Sequence, residues 1–156
     1  MLSSLAPGAT VPETVNQAGC QFCAIGNGEA PARIVWQDRL ALAFLPLNPA
    51  AKGHVLVVPR RHVRDLWDLD TDLATHLTRS VLTVARGVRR VLQPEGLNII
   101  HSTGAAATQT VWHVHVHVVP RWRDDDMGPI WPSSSPAAQA AEQEVEWLIR
   151  AACDES

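Results

Sequence analysis

Three histidines alternate with valines between residues 111 and 120, where the chain runs Val-Trp-His-Val-His-Val-His-Val-Val-Pro. Strict alternation predicts a β-strand, in which successive side chains point to opposite faces. His113, His115 and His117 should therefore share one face, about 6.5–7 Å apart along the strand, while the intervening valines enter a core. A single histidine among valines is usually a hydrogen-bonded core residue, but three imidazoles buried side by side need partners. The pattern indicates either metal ligands or a phosphate site with a histidine nucleophile.

Cys20 and Cys23 form a second group of residues that can do chemistry. The chain has three cysteines, an odd number that argues against a disulfide framework. In a cytosolic protein a Cys-x-x-Cys pair is typical of metal binding or redox activity, and no thioredoxin-like pattern surrounds this one. A closed tetrahedral zinc site takes four nitrogen or sulfur ligands and is structural. The spacing does not decide which two histidines would complete it among His54, His62, His113, His115 and His117.

Phosphate chemistry makes different demands. A neutral imidazole can attack phosphorus and form a phosphoramidate-type intermediate, which water then cleaves. The nucleophile needs a partner that fixes its tautomer, and the phosphate oxygens need hydrogen-bond donors. A second histidine on the same face can serve, as can the hydroxyls of Ser102 and Thr110, the amide of Gln109 and the backbone of the loop around Gly104.

Short apolar runs predict the strands that must position these residues. Two of them, separated by Asp38 and Arg39, predict a β-hairpin, and Pro120 should end the histidine strand because it cannot donate to a sheet. We expect strands at Arg33–Gln37, Ala41–Leu45, 53–58, 97–101 and 111–120.

One long helix interrupts these strands. Asp70 or Thr71 can cap its start, and Pro94 with Gly96 should end it. Its predicted apolar face consists of Leu73, Leu77, Val81, Val84, Val88 and Val91. Residues 137–152 predict a C-terminal helix. The fold class is therefore α+β, an antiparallel sheet of about five strands with helices on one face.

Length and charge limit the remaining possibilities. At 156 residues we expect one domain, residues 20–156, after a flexible arm at residues 1–19 that is rich in Ala, Pro, Gly, Ser and Thr. A net charge of −3 gives no reason to expect nucleic-acid binding. No apolar run approaches the roughly 18 residues of a membrane span, and no signal peptide is evident, so we expect a cytoplasmic protein.

These motifs together resemble those of the histidine-triad (HIT) family of nucleotide hydrolases and transferases. Residues 113–119 resemble the family signature His-φ-His-φ-His-φ-φ, where φ is apolar. Residues 53–59 followed by His62 resemble the family's upstream strand, and residues 109–111 resemble its lead-in to the triad. The pair Cys20-x-x-Cys23 resembles the zinc knuckle of many bacterial members. The resemblance covers about residues 20–122.

The resemblance implies a role for each matching residue. His115 matches the nucleophile that takes the nucleotidyl group, and His117 a histidine that contacts the phosphate and the leaving group. His54, Gln109 and Thr110 match positions around the phosphate. Four residues match the ligands of a structural Zn²⁺: Cys20, Cys23, His62 and His113. The implied protein is a homodimer whose long helix pairs across the interface, and its usual product is a nucleoside monophosphate, most often AMP.

The chain departs from the family pattern around the nucleoside. Pro46 stands where the family often has Asp or Asn to hold the ribose hydroxyls, and Asn48 is the candidate substitute. Ser102 occupies a loop position near the phosphate that is often Asn or Gln, and Thr108 replaces a common Gly. Phe44, with Leu45 and Leu47, can line an apolar slot for the base or simply pack in the core.

Three hypotheses follow. The first is an enzyme that cleaves nucleoside phosphoramidates or dinucleoside polyphosphates at the α-phosphorus through a nucleotidyl-His115 intermediate. The second is a non-catalytic, zinc-stabilised dimer that binds a nucleotide and regulates a partner. The third is a catalytic zinc held by the three histidines, with which Cys20 and Cys23 would compete.

Overall fold

The computed structural model describes residues 17–131 and 136–153. Most of the predicted arm, residues 1–16, lies outside the described residues. Residues 17–19 form a turn that leads into the first helix. The chain divides into two compact units, Met1–Asp126 and Met127–Ser156. Among its described residues the second unit contains one helix, α3 (Pro136–Cys153), close to the predicted bounds of 137–152. No helix among the described residues has the length and apolarity that a membrane crossing needs.

The first unit is built on a five-stranded sheet in which all neighbouring strands are antiparallel. The strand order is β1-β2-β3-β5-β4, and the predicted hairpin of β1 and β2 is confirmed at both of its strands. The strands are β1 (Arg33–Gln37), β2 (Ala41–Leu45), β3 (Val55–Pro59), β4 (Gly96–Ile100) and β5 (Val116–Arg121). The predicted fold class, α+β with about five antiparallel strands, is confirmed.

The histidine segment differs from its prediction. Strand β5 begins at Val116, so His113 and His115 precede it and only His117 lies on it. The main chain bends because the His113 N–H donates to the Val111 carbonyl, 2.9 Å away, and the Val114 N–H donates to a residue outside the sheet. The prediction that one strand carries all three imidazoles is therefore wrong. The predicted shared face is kept, because Val114 packs in the same core cluster as Val118, Phe22 contacts the rings of both His113 and His115, and the rings of His115 and His117 lie 5.1 Å apart.

Pro120 does not end β5 as predicted, because it lies within the strand opposite Leu97 of β4. The pairing of β5 with β3 stops at Val118, two residues earlier. Beyond that point β5 has a neighbour on one side only, and there a residue without an N–H is tolerated.

Helix α2 (Thr71–Leu92) covers one face of the sheet, where it packs on β2, β3 and β5. Asp70 caps it by accepting a hydrogen bond from the Leu73 N–H, 2.9 Å away. At the other end Gln93 adopts a left-handed conformation immediately before Pro94, which cannot continue a helix. The predicted apolar face is buried from Leu73 to Val84, but Val91 in the last turn is 80% exposed.

The opposite face of the sheet carries a short helix that the sequence did not predict, α1 (Gln21–Gly26). Because side chains alternate along a strand, β2 and β3 supply both faces, with Ala43 and Val57 toward α2 and Leu42 and Leu56 toward α1. His117 pairs with Leu56 across the ladder and therefore lies on the α1 side. Helices thus cover both faces, and the histidines occupy the face opposite the long helix.

Candidate active site and metal centre

Cys20, Cys23, His62 and His113 converge on one point, with their ligand atoms all within 4.8 Å of one another. Two Sγ···Nδ1 distances are 3.4 Å, from Cys20 to His113 and from Cys23 to His62, and the Cys23–His113 distance is 3.6 Å. Tetrahedral zinc with ordinary Zn–S and Zn–N bonds separates a sulfur from a nitrogen by about 3.6 Å. The donor set and its spacing therefore fit a closed zinc site.

The protein presents these ligands in the form that a metal requires. The Nε2–H of His113 donates to the Pro59 carbonyl, 2.9 Å away, so the Nδ1 lone pair faces the two sulfurs. Burial lowers the pKa of His113 to about 4 and also lowers the pKa of His62, so both imidazoles are neutral at pH 7. Burial raises the pKa of the Cys23 thiol, and a bound cation would offset this by stabilising the thiolate.

His115 is held as the tautomer that a nucleophile needs. Its Nδ1–H donates to the His113 carbonyl at 2.7 Å, which leaves the lone pair on Nε2. The residue is 6% exposed, and burial lowers its pKa against the opposing effect of that hydrogen bond. Its ring lies 5.1 Å from the ring of His117, centroid to centroid. The arrangement provides a neutral, oriented imidazole at pH 7.

A hydrogen-bond chain fixes the proton of His117. The Ala50 N–H donates to Nδ1 of His54 at 3.0 Å, so neutral His54 carries its proton on Nε2. That Nε2–H donates to Nδ1 of His117 at 2.9 Å, which leaves His117 with an Nε2–H of its own. Burial, with smaller effects from His115, His54 and His101, lowers the pKa of His117 to about 4. His117 is therefore a neutral hydrogen-bond donor next to His115.

The loop residues predicted to contact phosphate have different surroundings. The side-chain amide of Gln109 donates to the carbonyls of Arg64 and Val111 at 2.9 and 3.1 Å, and its oxygen accepts from the Gly104 N–H at 2.8 Å. Gln109 thus braces the loop with both amide protons, and its contact with a substrate stays a prediction. Ser102 lies half-buried at the start of this loop.

An open cavity of about 570 Å³ lies on the α1 side of the sheet. The predicted slot residues Phe44, Leu45 and Leu47 line it, together with Asn48 and Thr110. None of the described lining residues is Asp or Glu. The further lining residues are Gln21, Phe22, Ile25, Pro31, Ala32, Arg33, Pro46, Leu56 and Val111. An apolar cleft with a few amide and hydroxyl groups has the character of a small-molecule site.

Two residues near the histidines were not predicted. Phe22 lines the cavity and also packs edge-on against His115, with ring centroids 5.4 Å apart, so it joins the cavity to His115. His101 donates from Nδ1 to the His115 carbonyl at 2.8 Å. The position of Phe22 inside the Cys-x-x-Cys pair was the available signal for it, whereas His101 looked like the end of an ordinary strand.

Comparison with known proteins identifies the class to which this fold and these histidines belong. A family model described as the HIT domain matches residues 27–124. A Bacillus subtilis protein called Protein hit is 36% identical over 113 residues, which are 72% of this chain and 78% of that protein. An adenosine 5'-monophosphoramidase from Schizosaccharomyces pombe is 33% identical over 115 residues, covering 73% of this chain and 84% of that enzyme.

Solved structures of similar fold come from the same family. A HIT family protein from Bacillus anthracis superposes with a TM-score of 0.80 at 29% identity, covering 90% of this chain and 99% of that one. A zinc-bound histidine triad family protein from Mycobacterium smegmatis superposes with a TM-score of 0.67 at 33% identity, covering 83% and 97%. This chain belongs to the HIT family. The resemblance noted in its sequence is confirmed.

Proposed function

We propose that this protein is a nucleotide hydrolase or nucleotidyl transferase that cleaves an AMP-type substrate at the α-phosphorus. Candidate substrates are nucleoside phosphoramidates and dinucleoside polyphosphates, and the intermediate is a nucleotidyl group on His115. The observation that carries the proposal is the fixed tautomer of His115, whose Nδ1–H is bound to the His113 carbonyl while Nε2 is left as a lone pair. The relative named as an adenosine 5'-monophosphoramidase supports the same chemistry.

The first step forms a bond from Nε2 of His115 to phosphorus and breaks the bond from phosphorus to the leaving group. The leaving group departs with the electron pair and takes a proton from solvent. His115 becomes cationic, and its Nδ1–H, already 2.7 Å from the His113 carbonyl, strengthens its hydrogen bond as the charge develops. The Nε2–H of His117 donates to a phosphate oxygen, whose negative charge increases in the transition state.

In the second step water attacks phosphorus, and the electron pair of the N–P bond returns to Nε2. The products are the nucleoside monophosphate and a proton released to solvent. The role proposed for Zn²⁺ is structural, because His113, the ligand next to the nucleophile, turns its Nδ1 toward the cysteines and not toward the cavity. The ion would hold the segment whose carbonyl orients His115.

The nucleoside would occupy the cavity beside the histidines, with its base among Phe22, Phe44 and Leu56. Asn48 is the proposed partner of the ribose hydroxyls, in place of the Asp or Asn that the family often has where this chain has Pro46. Thr110 and the Gly104 loop, braced by Gln109, would contact the phosphate, with Ser102 close by in the same loop.

We also propose that the protein is a homodimer, because Leu82 and Val91 leave exposed apolar surface on α2. The proposed location is the cytoplasm, which the free thiols of Cys20 and Cys23 favour.

The test is a substrate panel with mass analysis of the intact protein. The panel contains an adenosine phosphoramidate, a dinucleoside polyphosphate and their guanosine counterparts, and rapid acid quenching should capture one nucleotidyl group on His115. His115→Asn keeps a polar side chain but lacks the nucleophile, so it should fold, bind AMP and lose turnover with the adduct. His76→Asn, a histidine on α2 hydrogen-bonded to Asp38, is the matched control and should keep full turnover. Unchanged turnover in His115→Asn would refute the proposal, and tight AMP binding without turnover of any panel member would support the regulatory binding module instead.

A further inference from the structure

We propose that His101 is a positioning residue for the nucleophile, because its side chain holds the main chain of His115 where the sheet no longer does. The inference rests on the proposed function of His115 and assigns a role to a residue outside the histidine motif. His101 is not among the residues that line the cavity. Among the described residues, its side chain is hydrogen-bonded to the His115 carbonyl and to Thr103, and to none of the four candidate metal ligands.

The first observation is where the ladder between β4 and β5 stops. The last pair joins Ile100 to His117, and β5 begins at Val116. His115 lies one residue before the strand, where β4 offers no further backbone pair. The His101 ring takes over at this point, since its Nδ1–H donates to the His115 carbonyl at 2.8 Å. A side chain thus extends the sheet's hydrogen bonding to the residue that carries the chemistry.

The second observation is that the His101 ring is itself fixed. The ring must donate from Nδ1 to a carbonyl, so Nε2 of the neutral form is an acceptor. The Thr103 hydroxyl lies 3.0 Å from Nε2 and donates to it, while Oγ1 of Thr103 accepts from the Leu66 N–H at 3.3 Å. An anchored chain therefore runs from the backbone at Leu66 through Thr103 and His101 to His115.

These contacts restrain the nucleophile independently of the substrate. The ring of His115 is held through Nδ1, and its main chain is held by His101. A displacement of about 1 Å in a reacting group can cost about 100-fold in rate. Loss of the His101 hydrogen bond should therefore lower kcat, while KM, which depends on cavity contacts elsewhere, should change little.

The experiment compares His101→Leu with His101→Asn. Asparagine places an amide N–H near the position of Nδ1 and keeps the donor, whereas leucine keeps bulk and loses it. We expect kcat of His101→Leu to fall about 10- to 100-fold with KM within about twofold of the parent protein, and His101→Asn to recover most of the loss. Thr103→Val and Thr103→Ser repeat the comparison at the next residue of the hydrogen-bond chain, since valine loses the hydroxyl and serine keeps it. They serve as the test if His101→Leu fails to fold. His76→Leu controls for loss of a partly buried histidine.

Parent-like kcat in His101→Leu, or an asparagine variant no better than the leucine variant, would overturn the inference. A rise in KM with kcat unchanged would overturn it as well. If the parent protein turns over nothing in the panel, the proposed function fails, and the hydrogen bond is then tested without activity. The ¹³C resonance of the His115 carbonyl should shift in His101→Leu and return in His101→Asn, and an unchanged resonance would show that His101 does not hold this carbonyl.

Discussion

Removal of Cys20 and Cys23 tests whether the metal holds the site together. Their Sγ atoms lie 3.4 and 3.6 Å from the Nδ1 atom of His113, close to the separation that tetrahedral zinc requires, so binding needs little rearrangement. We expect the parent protein to contain one zinc ion per chain and the variant Cys20→Ser/Cys23→Ser to contain none.

The size of the effect follows from linkage between binding and folding. The four ligands come from α1 and its N-cap, from the segment after β3 and from the segment before β5, so the unfolded chain lacks the preformed site. At a free zinc concentration about 100 times Kd, binding stabilises the folded state by about 2.7 kcal/mol. For a chain of this size that corresponds to a Tm higher by about 5–11 °C.

Metal analysis and thermal unfolding, with and without a chelator, measure both quantities. Cys153→Ser is the matched control, because Cys153 is exposed on α3, and it should change neither zinc content nor Tm. A parent protein that is fully stable without metal would refute the structural role of zinc. Turnover abolished within seconds of chelation, before any unfolding, would instead favour a catalytic ion.

Four further predictions concern the pH dependence of activity and stability and the backbone geometry at two glycines. Burial lowers the pKa of His115 below its ordinary value and lowers that of His117 to about 4, so the acid-side decline of kcat/KM should be centred below pH 6.5; a decline centred near 6.5 would contradict the burial argument. The unfolded chain then binds more protons than the folded one below about pH 6.5, so urea denaturation should show stability falling from pH 6.5 toward pH 4. Gly53 has a φ of +77°, and a Cβ there would collide with Leu92, so Gly53→Ala should destabilise by about 1–3 kcal/mol; equal stability would contradict this strain. Gly87→Ala, with open space around it on α2, should instead stabilise by about 0.5–1 kcal/mol.

Local signals predicted the parts of the fold that local interactions determine. The hairpin of β1 and β2 follows from the short apolar runs on either side of Asp38 and Arg39, and the Asp38 carboxylate accepts from the Leu40 and Ala41 N–H groups and closes the turn. The cap at Asp70 and the stop before Pro94 follow from backbone chemistry within a few residues. In each case the partners are neighbours in sequence, and a pattern can find them.

The segment before β5 was mispredicted because its partners are distant. The Val114 N–H bonds to Val63, and the His113 ring bonds to Pro59, more than fifty residues upstream. Alternation indicates a strand, but it carries no information about distant carbonyls that take the hydrogen bonds which a neighbouring strand would otherwise accept. Helix α1 was missed for a related reason: six residues give too short a period, and its packing on Phe44 decides its conformation.

The sequence predicted which residues form the candidate site, but it predicted only part of how they contact one another. The sequence left five histidines open as partners of the cysteines, and it was the resemblance that pointed to His62 and His113, which the structure brings to Cys20 and Cys23. Gln109 was expected at the substrate and braces a loop. The proton positions on the imidazoles depend on carbonyls and N–H groups that only the folded chain brings close.

The bond that orients His115 ends on a peptide carbonyl, and every amino acid at position 113 has one. The side chain of that position and its main chain therefore serve two separable purposes. Loss of the imidazole would remove one of the four candidate zinc ligands and leave the carbonyl that accepts from the His115 ring in place. A substitution at position 113 would therefore test the zinc cluster separately from the hydrogen bond that orients His115.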